Sequence, residues 1–251
     1  MKICIVTQAR IGSTRFPQKV LKPILGTTLL GLHLQRLKKS KLADKLFVAT
    51  TFENGVEQIT DIATQYDVAY FQGSTSDVLE RFYQTVKDYN PDYVVRVTSD
   101  CPLIDPQLVD AVIKFTVDHD VDYCSNGFVE NFPDGQDVEV FKFSALEKAW
   151  QNATLLSERE HVTPYIRNNS DYKGGNLFIA MNYPCESDFS KIRMTVDEPR
   201  DFELIEILLN NLGADSSWLA YTNYIIANDL GKINDQIIRN EGLLKSLKND
   251  N

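Results

Sequence analysis

The chain has 251 residues, of which 43% are hydrophobic and 24% are charged, an ordinary composition for a soluble globular protein. Its net charge of −9 argues against a general nucleic-acid or membrane-surface binder, because such proteins carry an excess of basic residues. The charge is uneven along the chain. Residues 1–45 contain ten Lys and Arg residues and one acidic residue, so they carry +9 and the remainder carries −18. One basic end on an acidic protein favours a site for a small polyanion.

The apolar run Ile3–Val6 is far too short for a signal sequence, and no segment is long and apolar enough to span a bilayer. The cysteines show no C-x-x-C spacing and lie in or next to apolar runs, which is typical of buried free thiols in a reducing compartment: Cys4, Cys101, Cys124 and Cys185. We therefore expect a cytoplasmic protein without a membrane or nucleic-acid partner.

Strands and helices are predicted to alternate over the first half of the chain. Apolar runs predict strands at 3–6, 45–51, 68–71 and 93–97. Helical periodicity and capping residues predict helices at 27–40, 56–65, 77–88 and from 105 onward. This alternation is typical of an α/β fold whose mostly parallel sheet is covered by helices on both faces. Ligands of such sheets lie beyond the carboxyl ends of the strands, so we expect the loops after Val6, Phe71 and Val97 to converge.

The second half is less regular, with strands predicted at 121–125, 138–143, 177–181 and 192–196. The segment Ser157–Glu160 has the S-x-x-E form of a capping box and is expected to open a short helix. Asp197-Glu198-Pro199 is expected to open a helix that reaches about Leu212, with two more helices after Ser216. We expect a catalytic domain over 1–212 and a C-terminal helical extension over 213–251 that packs on it.

The stretch Thr7–Lys22, TQARIGSTRFPQKVLK, follows the first predicted strand and carries the strongest chemical signal. It offers small residues for a tight turn with exposed N–H groups, and cationic side chains around that turn: Gly12, Ser13 and Thr14, and Arg10, Arg15, Lys19 and Lys22. Such a loop is suited to hold phosphate oxygens. Because neither a Walker A motif nor a G-x-G-x-x-G fingerprint is present, ordinary kinase and dehydrogenase functions lose support.

Single aspartates follow two other predicted strands. Asp100 comes after Val97-Thr98-Ser99, and Asp197 comes after Met194-Thr195-Val196. Magnesium usually takes one or two protein carboxylates together with phosphate oxygens and waters, and these two aspartates can supply that arrangement. The alternative for Asp197 is an N-cap of the next helix, and the alternative for Asp100 is a turn residue before Pro102. The spacing alone leaves both possibilities open.

A series of motifs runs through the chain in the order QARIGSTRFPQKVLKPILG, VATT, FQGSTSDVLERF, VVRVTSDCPLIDP, FPDGQDVEVF, SEREHVTPYI, IRMTVDEPRDFELI and IRNEGLLKSL. Together they resemble the spore-coat-polysaccharide type of cytidylyltransferase, which is related to the CMP-Kdo and CMP-sialic acid synthetases. The resemblance implies a nucleotide-diphospho-sugar transferase (Rossmann-like) fold. It also implies a CTP-dependent reaction, in which a hydroxyl of a sugar acid attacks the α-phosphate of CTP and pyrophosphate leaves.

The resemblance also implies roles for individual residues, transferred position by position. The residues implied in catalysis are Arg10, Lys19 and Asp100, and those implied to bind Mg²⁺ are Asp100 and Asp197. The residues implied in nucleotide binding are Ala9, Arg10, Gly12, Ser13, Arg15, Lys19, Gln72, Gly73, Asp77, Thr98 and Ser99. Those implied in binding the sugar acid are Asp137, Glu139, Glu158 and His161. The chain departs from the family at Ser99, where Gly is usual, and at Phe16 and Gln18, where Leu and Gly are usual; Ser99 could narrow the nucleotide pocket or add a hydroxyl contact.

Several alternatives stay open. A glycosyltransferase of the same fold would use a D-x-D pair, which Asp120-Val121-Asp122 spells, although before a predicted strand rather than after one. A nucleotide-binding partner without activity is a third possibility. For His161, a structural place on its helix is the commoner use of a lone histidine, and Glu80 and Arg81 could simply face solvent. The resemblance suggests a homodimer formed through residues 157–185, and it leaves open whether an eight-carbon Kdo-like or a nine-carbon nonulosonic acid is activated.

Overall fold

The computed structural model describes residues 1–248 and 250. A seven-stranded sheet forms its centre, and a separate antiparallel ribbon follows the first strand. The strands of the sheet are β1 (Ile3–Gln8), β4 (Lys45–Thr50), β5 (Ala69–Gln72), β6 (Tyr93–Thr98), β7 (Tyr123–Ser125), β8 (Glu139–Lys142) and β9 (Ala180–Asn182), and those of the ribbon are β2 (Pro23–Ile24) and β3 (Thr27–Thr28).

The sheet has the order β5-β4-β1-β6-β8-β7-β9. The pairs β5–β4, β4–β1, β1–β6 and β7–β9 are parallel, whereas β8 is antiparallel to both of its neighbours. The prediction of a mostly parallel sheet is therefore confirmed. Because β1 lies between β4 and β6, the loop after β1 occupies the middle of the carboxyl edge, between the loops that follow its neighbours.

Helices cover both faces of the sheet, as predicted. They are α1 (Leu29–Leu37), α2 (Glu57–Gln65), α3 (Val78–Val86), α4 (Pro106–Asp118), α5 (Phe143–Asn152), α6 (Leu156–His161), α7 (Pro164–Asn168), α8 (Pro199–Leu212), α9 (Trp218–Ala227) and α10 (Glu241–Lys248). Alternate residues of β1 point to opposite faces, as the pleat requires. Cys4 and Val6 pack with α3 and α5, whereas Ile3 and Ile5 pack with α1 and α4. Helices α8 and α9 pack against α1 in a further cluster.

The prediction of a strand at 192–196 is wrong. This segment makes a single parallel bridge, between Arg193 and Asp134. The ladder cannot continue, because the facing chain turns at Gly135, which has φ +104. A Cβ atom at Gly135 would lie 2.6 Å from the backbone nitrogen of Thr195, so only glycine allows the two segments to approach this closely.

The short helix expected after residue 157 is present as α6, but Ser157 is not its N-cap. The helix begins at Leu156, after Leu155 in an extended conformation. The Glu158 carboxylate accepts hydrogen bonds from the N–H groups of Thr154 (3.1 Å) and Leu155 (3.2 Å), so the glutamate rather than the serine fixes the start. Ser157 lies within the first turn, and its N–H donates to Asp250.

The C-terminal extension packs through Tyr221 and Ile225 onto the buried side of α8, so it contacts the catalytic part as expected. The division at residue 212 stays a prediction, and Asn249 and Asn251 lie outside the described residues. Residues 237–248, which we name the C-terminal strap, then return across the carboxyl edge of the sheet. Within residues 1–248 and 250, no helix combines the length and apolar character needed to cross a membrane.

Candidate active site

Lys19 joins two carboxylates at the carboxyl edge of the sheet. Its Nζ lies 3.1 Å from Asp100 Oδ2, in the loop after β6, and 2.9 Å from Asp197 Oδ1, just before α8. Lys19 itself begins a 3₁₀ turn in the loop that follows β1. The structure thus places these predicted residues around one point, although distant parts of the chain supply them.

Opposite charge keeps this cluster ionised. Burial would raise the pKa of the Asp100 carboxyl, but the Lys19 ammonium and the hydrogen bonds from Thr98 and Lys19 hold that pKa well below its usual range. Burial would lower the pKa of Lys19, but Asp100 and Asp197 raise it. The Lys19 ammonium and the Asp100 carboxylate are therefore both charged at neutral pH.

Asp197 is held in place by two further cations. Arg193 Nη2 lies 2.9 Å from its Oδ2, and Arg15 Nη2 lies 3.0 Å from its Oδ1. The Arg193 guanidinium is buried and also pairs with Asp134 (2.6 Å) and Asp201 (2.8 Å). Asp197 is not the N-cap of α8, because Glu198 occupies that position. The N-cap alternative for Asp197 is therefore wrong.

Two carboxylates that share one ammonium nitrogen can also share a metal cation. Among residues 1–248 and 250, no group of three or more His, Cys, Asp and Glu side chains is arranged to hold a metal. Magnesium needs fewer protein ligands, because phosphate oxygens and waters complete its octahedron. The pair Asp100 and Asp197 is a donor set of the kind that magnesium takes beside a phosphate.

In the predicted phosphate loop, the hydrogen-bonded turn lies at Phe16–Lys19, where the Lys19 N–H donates to the Phe16 carbonyl at 3.2 Å, and so follows the Gly12–Thr14 segment where the turn was predicted. Gly12 lies so close to Glu53 that a Cβ atom there would come within 2.6 Å of the Glu53 Oε1 atom. Gln18 adopts φ +54, a left-handed conformation that explains why glycine would be usual at this position. Phe16 packs edge-on against Phe202, with ring centroids 6.0 Å apart, so this departure is accommodated by an aromatic contact. Arg10 is exposed at the mouth of the loop, and Ser13 accepts a hydrogen bond from the N–H of Phe16.

The other residues predicted to bind the nucleotide lie beside this loop. Gln72 Nε2 donates to the Thr51 carbonyl (3.3 Å), and the Gly73 N–H donates to the Thr50 carbonyl (2.9 Å). These bonds tie the loop after β5 to the end of β4. Ala9 and Ser99 are buried, and the Ser99 N–H donates to the Gln8 carbonyl at 3.4 Å. The structure therefore brings Ala9, Gln72, Gly73 and Ser99 to the same edge as Lys19.

Asp77, which follows the loop after β5, contacts both α3 and α6. Its carboxylate accepts from the Glu80 N–H at 2.9 Å and so caps α3. The Arg159 guanidinium on α6 donates to both of its oxygens through Nε, at 3.1 and 3.0 Å. Asp77 thereby links the predicted nucleotide side to the predicted acceptor side. Its contact with a nucleotide stays a prediction.

The predicted acceptor residues lie around a buried ionic network. Glu139 is paired with Arg96 and accepts hydrogen bonds from the hydroxyls of Tyr123 and Thr163, each at 2.6 Å. Burial would raise the pKa of Glu139, but Arg96 and Arg167 lower it. Glu139 is therefore a buried anion fixed by its surroundings.

Glu158 and His161 have structural contacts of their own. The Glu158 carboxylate is engaged by the backbone at the start of α6, as described above. His161 Nε2 lies 3.0 Å from Ser246 Oγ, which in turn donates to Glu160 Oε2 at 2.6 Å. The structure brings both residues to α6, beside the strap, and their contact with substrate stays a prediction.

The C-terminal strap connects the two sides of the site. Arg239 Nη2 donates to Asp137 Oδ1 at 2.8 Å, and its Nη1 donates to the Phe132 carbonyl at 3.1 Å. Two residues later, Glu241 Oε2 lies 3.2 Å from Arg15 Nη1. Helix α10 then packs on α6 through Ser246. The strap therefore contacts the predicted phosphate loop through Glu241 and the predicted acceptor residues Asp137 and His161 through Arg239 and Ser246.

The D-x-D sequence lies away from this cluster. Asp120 and Asp122 precede β7, at the amino edge of the sheet, and both pair with Lys142 Nζ, at 3.0 and 3.2 Å. The carboxyl edge, where Lys19 lies, is at the other end of the strands. The D-x-D pair therefore cannot serve as a metal site at this edge.

Sequence reasoning missed the arginines that organise the site: Arg81, Arg159, Arg193 and Arg239. One signal was available, because Arg193 precedes Asp197 by four residues, a spacing that suits an ion pair. The partners of Arg159 and Arg239 come from distant segments, which no local pattern indicates.

The chain is similar in sequence and in fold to known proteins. A family model described as cytidylyltransferase matches residues 3–224. The chain is 31% identical over 216 residues to the spore coat polysaccharide biosynthesis protein SpsF of Bacillus subtilis, which covers 84% of this chain and 88% of SpsF. The structure of a cytidylyltransferase from Leptospira borgpetersenii is 36% identical, with a TM-score of 0.87, and the match covers 95% of this chain and 100% of that one.

A more distant structure shares the fold. CMP:2-keto-3-deoxy-manno-octonic acid synthetase complexed with CTP has a TM-score of 0.60 at 16% identity, over 84% of this chain and 99% of that one. The sheet order described above is thus the nucleotide-diphospho-sugar transferase arrangement that the motifs implied. With a family model that spans most of its length and a relative at 31% identity that covers it nearly end to end, the chain belongs to the cytidylyltransferase family.

Proposed function

We propose that this protein transfers the cytidylyl group of CTP to a hydroxyl of a sugar acid and releases pyrophosphate, for the synthesis of a surface polysaccharide. The single observation that carries the proposal is the contact of Lys19 with both Asp100 and Asp197 at the carboxyl edge of the sheet. The contact brings two carboxylates that can hold a metal to one point beside a basic loop, an arrangement suited to a triphosphate and its metal.

In this reaction the hydroxyl oxygen of the sugar acid forms a bond to the α-phosphorus. The bond between that phosphorus and the oxygen that bridges to the β-phosphate breaks, pyrophosphate leaves, and the hydroxyl proton is lost. Lys19, Arg10 and Arg15 can neutralise the charge that develops on the leaving pyrophosphate. Arg193 keeps Asp197 oriented, and Lys19 reaches both aspartates without moving from its loop. The chain thus contributes positioning and charge rather than a covalent intermediate.

Asp100 and Asp197 are the residues that would hold Mg²⁺. When bound, magnesium supplies positive charge to the phosphate oxygens and orients the reacting groups. Asp100 is fixed by the backbone around it, because the Val196 N–H donates to the Asp100 carbonyl at 2.7 Å. This bond joins the two loops that carry the metal-binding residues.

A sugar acid is the acceptor that the surroundings favour. Guanidinium groups of Arg96, Arg167 and Arg239 lie around Glu139 and Asp137, and arginine forks suit carboxylates. The related synthetase named above acts on an octulosonic acid, and SpsF is named for spore coat polysaccharide. The name of that synthetase supports a Kdo-like acid as the acceptor, and a nonulosonic acid is the other class that the motifs leave open.

The test is a matrix of nucleotides and sugar acids, scored by pyrophosphate release with and without Mg²⁺. We expect pyrophosphate only with CTP, a sugar acid and magnesium together. Release of UDP or GDP from a nucleotide sugar would instead support a glycosyltransferase. Calorimetric binding of CTP without turnover on any sugar acid would support a nucleotide-binding partner without activity.

We also propose a cytoplasmic homodimer. Cys4, Cys101 and Cys124 are buried free thiols, as expected in a reducing compartment. Large apolar side chains are exposed near the region 157–185, where the dimer contact is expected, including Leu156 (65%) and Ile179 (56%). Analytical ultracentrifugation should give a dimer for the wild type and a monomer for Ile179→Lys. A wild-type monomer at micromolar concentration would contradict the proposal.

A further inference from the structure

Arg81 is a buried cation on the nucleotide side of the site. It lies in α3 and is only 2% exposed, so the alternative that it faces solvent is wrong. The amino-terminal turn of α3 faces the loop after β5, and the Arg81 side chain lies over Gly73. A Cβ atom at Gly73 would be 3.0 Å from Arg81 Cγ, so glycine is what leaves room for this side chain.

No carboxylate of the described residues forms a direct ion pair with this side chain, although Glu53 and Asp77 act on its charge from a longer distance. Among residues 1–248 and 250, Arg81 has no acidic partner within 4.0 Å. Its Nη1 donates to the Ser74 carbonyl, whereas its Nε is buried without any hydrogen-bond partner. Burial and the nearby Arg10 lower the pKa of Arg81 to about 10, so the guanidinium still carries its charge at neutral pH. A buried guanidinium with unmade hydrogen bonds destabilises the protein unless a ligand supplies acceptors.

The hydrogen-bond donors of the Arg81 guanidinium that remain free indicate which chemical groups such a ligand must offer. With Nη1 used by Ser74, the edge formed by Nε and Nη2 is left, and it presents two parallel N–H donors. Such an edge matches two adjacent acceptor atoms. A phosphate offers such a pair, and so does the edge of cytosine that carries O2 and N3.

Gln8 favours the base over the phosphate. It is the last residue of β1 and lies on the α3 side of the sheet, because Cys4 and Val6 of the same strand pack with Leu79 and Phe82. Its Oε1 is buried without a hydrogen-bond partner. An acceptor atom disfavours a phosphate, which has only oxygens to offer, but it matches the amino group beside N3 of cytosine.

We propose that Arg81 and Gln8 bind the base of the nucleotide, with Arg81 donating to O2 and N3 of cytosine and Gln8 accepting from its amino group. This inference rests on the proposed function, since it names the residues that choose CTP. Uracil has a donor at N3 and an acceptor in place of the amino group. UTP would therefore set donor against donor at Arg81, and Gln8 would have to rotate its amide from the present orientation to donate to the oxygen that replaces the amino group. A site with buried polar groups rejects a mismatched ligand strongly, because its groups are left unpaired.

The test compares calorimetric binding of CTP, UTP and inorganic triphosphate to the full-length wild type and to Arg81→Lys, Gln8→Leu and Lys87→Met. Lys87→Met is the matched control, because Lys87 is the exposed residue at the end of α3. We expect Arg81→Lys and Gln8→Leu each to reduce the ratio of CTP to UTP affinity by roughly tenfold or more, as lost base contacts do. Triphosphate affinity should stay unchanged, and the control should match the wild type.

Equal losses for CTP, UTP and triphosphate in Arg81→Lys would overturn the inference, because they would place the guanidinium on a phosphate. An unchanged ratio in both variants would also overturn it. If Arg81→Lys does not fold, as judged by its thermal unfolding, Gln8→Leu alone decides. Binding is measured without turnover, so a wild type that prefers CTP but releases no pyrophosphate would count against the proposed function and in favour of the base contact.

Discussion

The ammonium nitrogen of Lys19 lies 2.9 Å from Asp197 Oδ1, although the two residues are 178 positions apart in the chain. The contact joins the loop after β1 to the segment before α8. It also fixes the spacing of the metal-binding residues that we propose, because Asp100 shares the same nitrogen.

Asp100→Ala and Lys19→Ala should each lower turnover by about a hundredfold to a thousandfold, the usual effect of removing one preorganised charged group. Lys19 retains Asp197 when Asp100 is removed, so the fold should persist. Turnover is measured as magnesium-dependent pyrophosphate release, and folding by circular dichroism. Asp118→Ala is the control, since Asp118 pairs with Lys114 on an exposed face away from the site. A folded Asp100→Ala protein with near-full magnesium-dependent activity would contradict the metal role.

Arg193→Met should destabilise the protein by about 3–5 kcal/mol, because removing one partner leaves buried carboxylates without compensation. The guanidinium is buried and pairs with Asp134 and Asp201 as well as Asp197. Urea unfolding gives the free energy. Arg200→Met serves for comparison, because Arg200 is an exposed residue in the first turn of α8. Equal unfolding midpoints for the two variants would show that the network contributes nothing.

His33 should make stability fall in mild acid. It is fully buried between the Cys101 carbonyl and the Thr7 hydroxyl, each at 2.9 Å, and burial lowers its pKa to about 4. Below about pH 6.5 the histidine is protonated in the unfolded chain but stays neutral in the folded protein. The contribution of the neutral His33 to the free energy of unfolding is therefore complete above about pH 6.5 and is lost towards pH 4.

Between pH 7 and pH 5 the wild type should lose about 2 kcal/mol more of its free energy of unfolding than His33→Gln, which cannot titrate. His119→Gln is the control, because His119 is an exposed residue at the end of α4. Urea unfolding at each pH measures the difference. Parallel curves for the wild type and His33→Gln would remove His33 as the cause.

Arg239→Met should raise KM for the sugar acid by roughly tenfold, the order expected when one charged hydrogen bond is lost. Arg239 orients Asp137, and without it a partly buried carboxylate loses its cation. The KM for CTP should not rise, because Arg239 does not contact the predicted phosphate loop and its loss only loosens the strap whose Glu241 pairs with Arg15. Lys232→Met, on an exposed turn, is the comparison. An equal rise of both KM values would mean that Arg239 acts on the whole site rather than on the acceptor side.

The sequence patterns predict the sheet well because burial imposes them locally. The run Lys45–Thr50 has to be a central strand, and Asp105-Pro106 starts α4 with its side chain accepting from the Gln107 N–H. The strand expected at 192–196 failed because its potential partner turns away at Gly135. Local hydrophobicity carries no information about that partner.

For the same reason, only some residues of the site could be predicted from the sequence. Asp100 and Asp197 could be chosen because each follows an apolar run, as strand ends do. The burial of Arg81 depends on the missing side chain of Gly73, and the position of Glu158 depends on the path of Thr154 and Leu155. These are contacts between segments, and a periodic pattern along one helix does not contain them.

The C-terminal strap contacts both sides of the site, at Arg15 and at His161. A phosphate that takes the Arg15 guanidinium displaces Glu241, and Glu241 starts the helix that Ser246 anchors beside His161. Displacing Glu241 loosens the strap that Arg239 joins to Asp137, so nucleotide binding should change the affinity for the sugar acid, and the sugar acid should change the affinity for the nucleotide by the same factor. Amide hydrogen exchange in α10 is where that coupling would first become visible.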